Sequence, residues 1–189
     1  MESGVLDDIY KELKEKMEKA VVALKDEMGG IRTGRANPAI LERIKVDYYG
    51  TPTDIRQMAQ ITIPDPHSLA LQPYDKSALK DIEKAIQKSD LGITPSNDGK
   101  LMRLTLPQLT SERRQELVKQ VRKKGEDKKI VLRNHRREAN ETVKKEQKDG
   151  ALTEDQAKHA LDQVQKMTDQ FIAKIDDVIR HKETDVTTV

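Results

Sequence analysis

Cysteine is absent from this 189-residue chain, tryptophan is absent too, and the aromatic residues come to one Phe and four Tyr. Without cysteine there is no disulfide framework, thiol nucleophile or thiolate metal site, and a reducing compartment fits. With so few rings, the core must be built from Leu, Ile, Val, Ala and Met. Long hydrophobic runs are also missing: the longest patches resemble Ala20-Val21-Val22-Ala23-Leu24, far short of the ~18 apolar residues of a membrane span. The opening Met1-Glu2-Ser3-Gly4 is acidic and leads into no apolar stretch, so no secretory signal is expected.

Charge is what the chain has in abundance. Charged residues make up 36% and hydrophobic ones 35%, against ~25% and ~45–50% in ordinary globular chains. That balance excludes a thick globular core. It fits long helices that each bury one stripe and solvate the rest.

The stripes are readable. Leu6, Ile9, Leu13, Met17, Ala20, Leu24 and Met28 step by three or four, predicting a helix over 5–29 that ends with a left-handed glycine at Gly29-Gly30. Residues 110–149 carry no proline, and Val118, Val121, Gly125, Leu132, Ala139 and Val143 predict a second helix about 60 Å long at ~1.5 Å per residue. Thr153 with Gln156 forms a capping box for a third. Its stripe is Ala157, Leu161, Val164, Thr168, Phe171, Ile175 and Val178.

Six of the seven prolines fall between Pro38 and Pro95, and Pro107 closes that segment. Within it, Ile44–Tyr49, Ala59–Ile63, Ser68–Gln72 and Lys100–Leu106 read as strands, separated by turns such as Gly50-Thr51-Pro52 and Asn97-Asp98-Gly99. Ser77–Lys88 reads as a helix capped by Asp75 or Ser77. The fold class is therefore α+β. Residues 1–31 and 108–189 are expected to form an elongated three-helix bundle, with 32–107 inserted as a small α/β domain in an L-shaped or bent two-domain molecule. Two short crossings join the domains, so a hinge is expected at Gly29, Gly30, Ile31, Arg32, Leu106 and Pro107.

Chemistry-bearing motifs are scarce. Gly29-Gly30-Ile31-Arg32-Thr33-Gly34-Arg35-Ala36 superficially resembles a phosphate-cradling loop, but Arg35 and Ala36 stand where Lys and a magnesium-binding hydroxyl belong. His67, His135, His159 and His181 lack metal-ligand spacing, and no nucleophile elbow is present. No catalytic residue, metal or cofactor is expected.

The basic residues of the second helix give the sharper signal. Residues 110–150 hold 14 basic and 8 acidic side chains, a net of +6, while the remaining 21 basic and 25 acidic residues net −4. At ~100° per residue, Arg122, Lys129, Arg133, Arg136, Arg137, Asn140 and Lys144 occupy about a third of the circumference, with Glu126 the one intruding acid. Four arginines suit bidentate phosphate contacts. With no aromatic platform on that face, folded RNA read by shape and backbone is the expected ligand. A coiled-coil adaptor explains the helices but not the one-sided arginines. A nucleotide-hydrolysing enzyme fails on the missing phosphate loop.

These residues carry a family resemblance. Ile31-Arg32-Thr33-Gly34-Arg35-Ala36-Asn37-Pro38, Tyr48-Tyr49-Gly50-Thr51-Pro52, Ser89-Asp90-Leu91-Gly92, Leu109-Thr110-Ser111-Glu112-Arg113-Arg114 and Arg133-Asn134-His135-Arg136-Arg137-Glu138-Ala139-Asn140 closely resemble the bacterial ribosome recycling factor family, across essentially the whole chain. The resemblance implies a cytoplasmic, monomeric, non-enzymatic translation factor of roughly tRNA size. It implies binding to large-subunit ribosomal RNA in the post-termination complex, and cooperation with elongation factor G, whose GTP hydrolysis separates the subunits. It places RNA contacts at Arg133 and Arg136, with Arg114, Arg137 and Lys129 as neighbours. Gly29-Gly30 and His135 depart from the expected pattern, and the first would loosen the hinge.

Overall fold

A computed structural model describes residues 4–188. They divide into two compact units: the chain up to Ile31 together with the chain from Ser111 onward, and Arg32–Thr110.

The larger unit is three helices: α1 (Gly4–Gly29), α4 (Ser111–Lys148) and α5 (Glu154–Thr187). All seven residues of the α1 stripe are buried, with Val21 beside them. They meet Val121, Leu132 and Val143 of α4 and Val164, Phe171 and Ile175 of α5 in one apolar core. Two stripes differ from expectation by one position. Leu117 is buried where Val118 was expected, and Ala160 is buried beside a half-buried Leu161, because the contact line drifts around each long helix instead of holding a strict repeat. Thr168 is fully buried, and its hydroxyl donates to the Val164 carbonyl at 2.8 Å, so the core contains no orphaned hydroxyl there.

Gly125 sets how closely α4 and α5 approach. A Cβ built on it would collide with Cδ1 of Ile179. At the α4–α5 turn Gly150 takes φ 84°, and Thr153 and Gln156 form the expected reciprocal cap, with bonds of 3.2 and 2.9 Å.

The start of the smaller unit corrects the helix-end reading. Neither Gly29 nor Gly30 has a positive φ. α1 closes instead by tight turns, Gly30 N–H to Glu27 O at 3.3 Å and Ile31 N–H to Met28 O at 3.1 Å. The left-handed residue is Gly34, φ 73°, whose hypothetical Cβ would be 3.2 Å from the Pro107 carbonyl and 3.6 Å from Leu109 Cγ. That approach keeps Pro107 and Leu109 inside the smaller unit, and the second junction falls at 110/111, three residues beyond the expected 107/108.

Two antiparallel sheets follow. β1 (Lys45–Tyr48) and β2 (Thr51–Asp54) form a hairpin pairing Tyr48 with Thr51. The turn is therefore Tyr49-Gly50, at φ 52° and 80°, and Thr51-Pro52 is strand, not turn. The mirror-image turn matches the right-handed twist of the strands it joins. α2 (Ile55–Met58) leads into a four-stranded sheet of order β3-β4-β6-β5, made of β3 (Ala59–Asp65), β4 (Ser68–Pro73), β5 (Ser96–Asn97) and β6 (Met102–Thr105). α3 (Leu79–Gln87) contributes Ile82 and Ile86 to a core with Val46, Leu69, Leu71, Met102 and Leu104. Asp75 provides the cap ahead of α3, accepting from the Ser77 N–H at 3.0 Å.

Candidate nucleic-acid interface

The basic stripe of α4 divides into two lines with different surroundings. Along the α5 side, Arg122, Lys129 and Arg136 recur every seven residues and face α5, which runs antiparallel. Arg122 Nε donates to Glu183 Oε1 at 2.5 Å. Lys129 Nζ lies 2.5 Å from Asp176 Oδ1 and 3.1 Å from Glu126 Oε1, and its side chain is only 14% exposed. Arg136, half-buried, donates to Gln165 Oε1 at 3.3 Å, while the Gln165 amide donates to Asp169 at 2.8 Å. The first two contacts step up α4 by seven and down α5 by seven, and the third leads through Gln165 to Asp169, a further seven down. The two carboxylates favour the charged form of their partners: Asp176 raises Lys129 above the ordinary lysine value, and Glu183 raises Arg122.

On the outer side, Arg133, Arg137 and Lys144 are exposed. Among the described residues, none of the three makes an ion pair or a side-chain hydrogen bond. Their angular positions lie within about 40° of one another at ~100° per residue. The outer side of α4 thus presents three unpaired cations on one exposed line.

The remaining predicted residues sit differently. Asn140 is half-buried, and its Oδ1 is buried with no hydrogen-bond partner among the described residues, so its amide oxygen does not face solvent as the stripe reading expects. Arg114 is half-buried near the start of α4. His135 lies on the opposite flank of the core line, with Nδ1 3.4 Å from Glu138 Oε2. Of the hinge residues, Arg32 donates to the Asp90 carbonyl at 3.3 Å. Leu106 is buried in the smaller unit's core, its N–H bonded to the His67 carbonyl at 2.8 Å. Leu106 is thus part of the sheet end and not a free connector. The sequence reading missed the acids facing the stripe, although Asp169, Asp176 and Glu183 repeat at the same spacing of seven as the bases they oppose.

A model of the family described as "Ribosome recycling factor" matches residues 24–186. The chain belongs to the ribosome recycling factor family. It is 58% identical over 182 residues to the ribosome-recycling factor of Alkaliphilus oremlandii, covering 96% of this chain and 98% of that one. It is 54% identical over 185 residues to that of Geobacillus sp. strain WCH70, covering 98% and 100%. Among solved structures, a solution structure of the ribosome recycling factor matches with a TM-score of 0.75 at 40% identity, over 97% of this chain and 98% of that one. A second match has a TM-score of 0.65 at 45% identity, over 96% and 98%. It is described as the T. thermophilus ribosome recycling factor and the E. coli elongation factor G bound to the E. coli post-termination complex. Members of this family are translation factors, not enzymes. No helix among the described residues is long and apolar enough to cross a membrane.

Proposed function

We propose that this chain is the cytoplasmic, monomeric factor that binds the post-termination ribosome and, with elongation factor G and GTP, releases and recycles its subunits from mRNA. The outer line of α4, Arg133, Arg137 and Lys144, is its contact with large-subunit ribosomal RNA. Arg136 reaches the same edge from the seam, since its partner Gln165 is neutral and leaves the guanidinium charge uncompensated. Arg122 and Lys129 neutralise α5 and contribute stability in place of RNA affinity. The smaller unit swings on the connectors at Gly29–Arg32 and after Pro107, where few residues join the two units.

The observation that carries this reading is the contrast between paired and unpaired cations on a single helix. Folded RNA presents a regular phosphate line, and counterion release on contact gives binding a steep salt dependence. Co-sedimentation with isolated large ribosomal subunits across a salt series tests it. Binding should weaken as salt rises, and reversal of Arg133 and Arg137 to Glu should abolish most of it while the helical circular dichroism is unchanged. Binding that ignores both salt and reversal would favour a coiled-coil adaptor.

A further inference from the structure

The smaller unit carries its own concentration of cations. Arg32, Arg43, Lys45 and Lys88 rim a cleft of about 430 Å³, with Asp90 as its single carboxylate and Ile40, Ile44, Ala85 and Leu91 as its apolar lining. The whole unit, Arg32–Thr110, has 11 basic and 9 acidic residues, a net of +2. The cleft alone nets +3, so the rest of the unit nets −1. The positive charge is gathered, not scattered.

The nearest ordinary use for these cations is the carbonyl end of α3, where positive charge is favoured. Part of that demand is already met. Arg32 donates to the Asp90 carbonyl, and the Ser89 hydroxyl donates to the Ile86 carbonyl at 2.5 Å. Lys45 lies 3.7 Å from Asp54. Arg43 and Lys88 are exposed and make no ion pair among the described residues. Two cations without an ion pair therefore stand at the mouth of a cleft whose lining mixes polar side chains with Ile40, Ile44, Ala85 and Leu91. That pattern, cations at the rim with aliphatic side chains among the lining, matches a nucleotide: a phosphate for the cations and a flat base for the aliphatic surface. Its volume lies in the range of small-ligand sites.

We infer that this cleft is a second RNA contact, binding one nucleotide of an unpaired strand with its phosphate on Arg43 and Lys88 and its base against Ile44 and Leu91. The inference extends the RNA-binding role proposed for α4, but the two sites are tested separately.

The test is nuclear magnetic resonance on the full chain titrated with hexauridylate. Saturable shifts at the Arg43 side chain and at the Ile44 and Leu91 amides are expected, and they should persist when Arg133 and Arg137 are reversed to Glu. Replacing Arg43 and Lys88 by Glu should lower the salt slope of oligonucleotide binding by about 0.7, the value for one phosphate contact on a single strand. Absence of cleft shifts with the unmutated chain overturns the inference, whatever α4 does. So does their disappearance in the α4 variant, which would make them a secondary effect of binding at α4. Equal shifts from inorganic phosphate at matched concentration, with Ile44 and Leu91 unmoved, would leave a simple anion site and remove the nucleotide. If α4 reversal fails to affect large-subunit binding while the cleft shifts remain, the α4 reading falls and the cleft stands.

Discussion

Two lines of cations run side by side on one helix, and only one of them is free. Arg122 and Lys129 have the charge and spacing of a polyanion surface, yet each is closed by a carboxylate of α5 at 2.5 Å. Arg133, Arg137 and Lys144 have the same chemistry a few tens of degrees around the helix and no such partner among the described residues. Charge content alone does not mark a binding surface. In the proposed reading, what marks it is charge that the fold leaves uncompensated, and a rotation of less than one residue step decides which cations those are.

The largest effect that separates the lines is on binding. Reversing Arg133 and Arg137 to Glu removes two charged hydrogen bonds of ~1.5–3 kcal/mol each, so large-subunit affinity should fall by about tenfold or more per site. The thermal midpoint should stay near that of the parent, since exposed substitutions change stability by within ~0.5 kcal/mol. Parallel sedimentation and melting curves check both halves.

Next is Gly125→Ala, which forces apart the seam that brings Arg122 and Lys129 to their acids. Ala gains ~1 kcal/mol in helix propensity, but the new methyl collides with Ile179, and overpacking costs ~1–3 kcal/mol. A net destabilisation of about 1 kcal/mol is expected by denaturant unfolding, with RNA affinity little changed.

Lys129→Gln should be milder on stability, within about 1 kcal/mol, because Asp176 is 53% exposed and exposed pairs contribute ~0.2–1 kcal/mol. Its large-subunit affinity should match the parent. If it falls as far as that of the outer-line variant, the distinction between the lines is lost.

The smallest effect belongs to the other unit. Asp75 is held below the usual carboxylate value by the Ser77 hydroxyl, the Ser77 N–H and the Tyr48 hydroxyl, the last at 2.9 Å. Its folded-state pKa is lowered, so its contribution is complete above the unfolded value near 3.8 and disappears as pH falls through the lowered folded value. Asp75→Asn should melt slightly earlier than the parent at neutral pH, and the gap should close in acid.

Much of this was legible in the residues themselves. The α1 stripe, the Thr153–Gln156 cap and the insertion of an α+β segment between helices follow from spacing that only one local geometry satisfies. The errors came where a local rule met a tertiary contact. Gly29-Gly30 looked like a left-handed helix end, but the positive φ belongs to Gly34, where Pro107 and Leu109 approach the backbone. Gly50-Thr51-Pro52 looked like a turn because it holds Gly and Pro, yet Pro52 is tolerated in a two-stranded sheet where its missing N–H faces away from the ladder. A basic stripe on α4 alone has the same limit, because a single helix cannot show which of its charges the next helix will neutralise. Matching the seven-residue spacing of Asp169, Asp176 and Glu183 to that of Arg122, Lys129 and Arg136 would have revealed the seam.

The most direct test is the salt slope of large-subunit binding for two double variants measured side by side, Arg133→Glu with Arg137→Glu and Arg122→Gln with Lys129→Gln. The outer pair should lower the slope by about 1.8, at ~0.9 for each phosphate no longer neutralised, and the seam pair should leave it unchanged. A seam pair that lowers the slope as much as the outer pair would contradict the account, because cations closed by α5 would then be the ones that hold RNA.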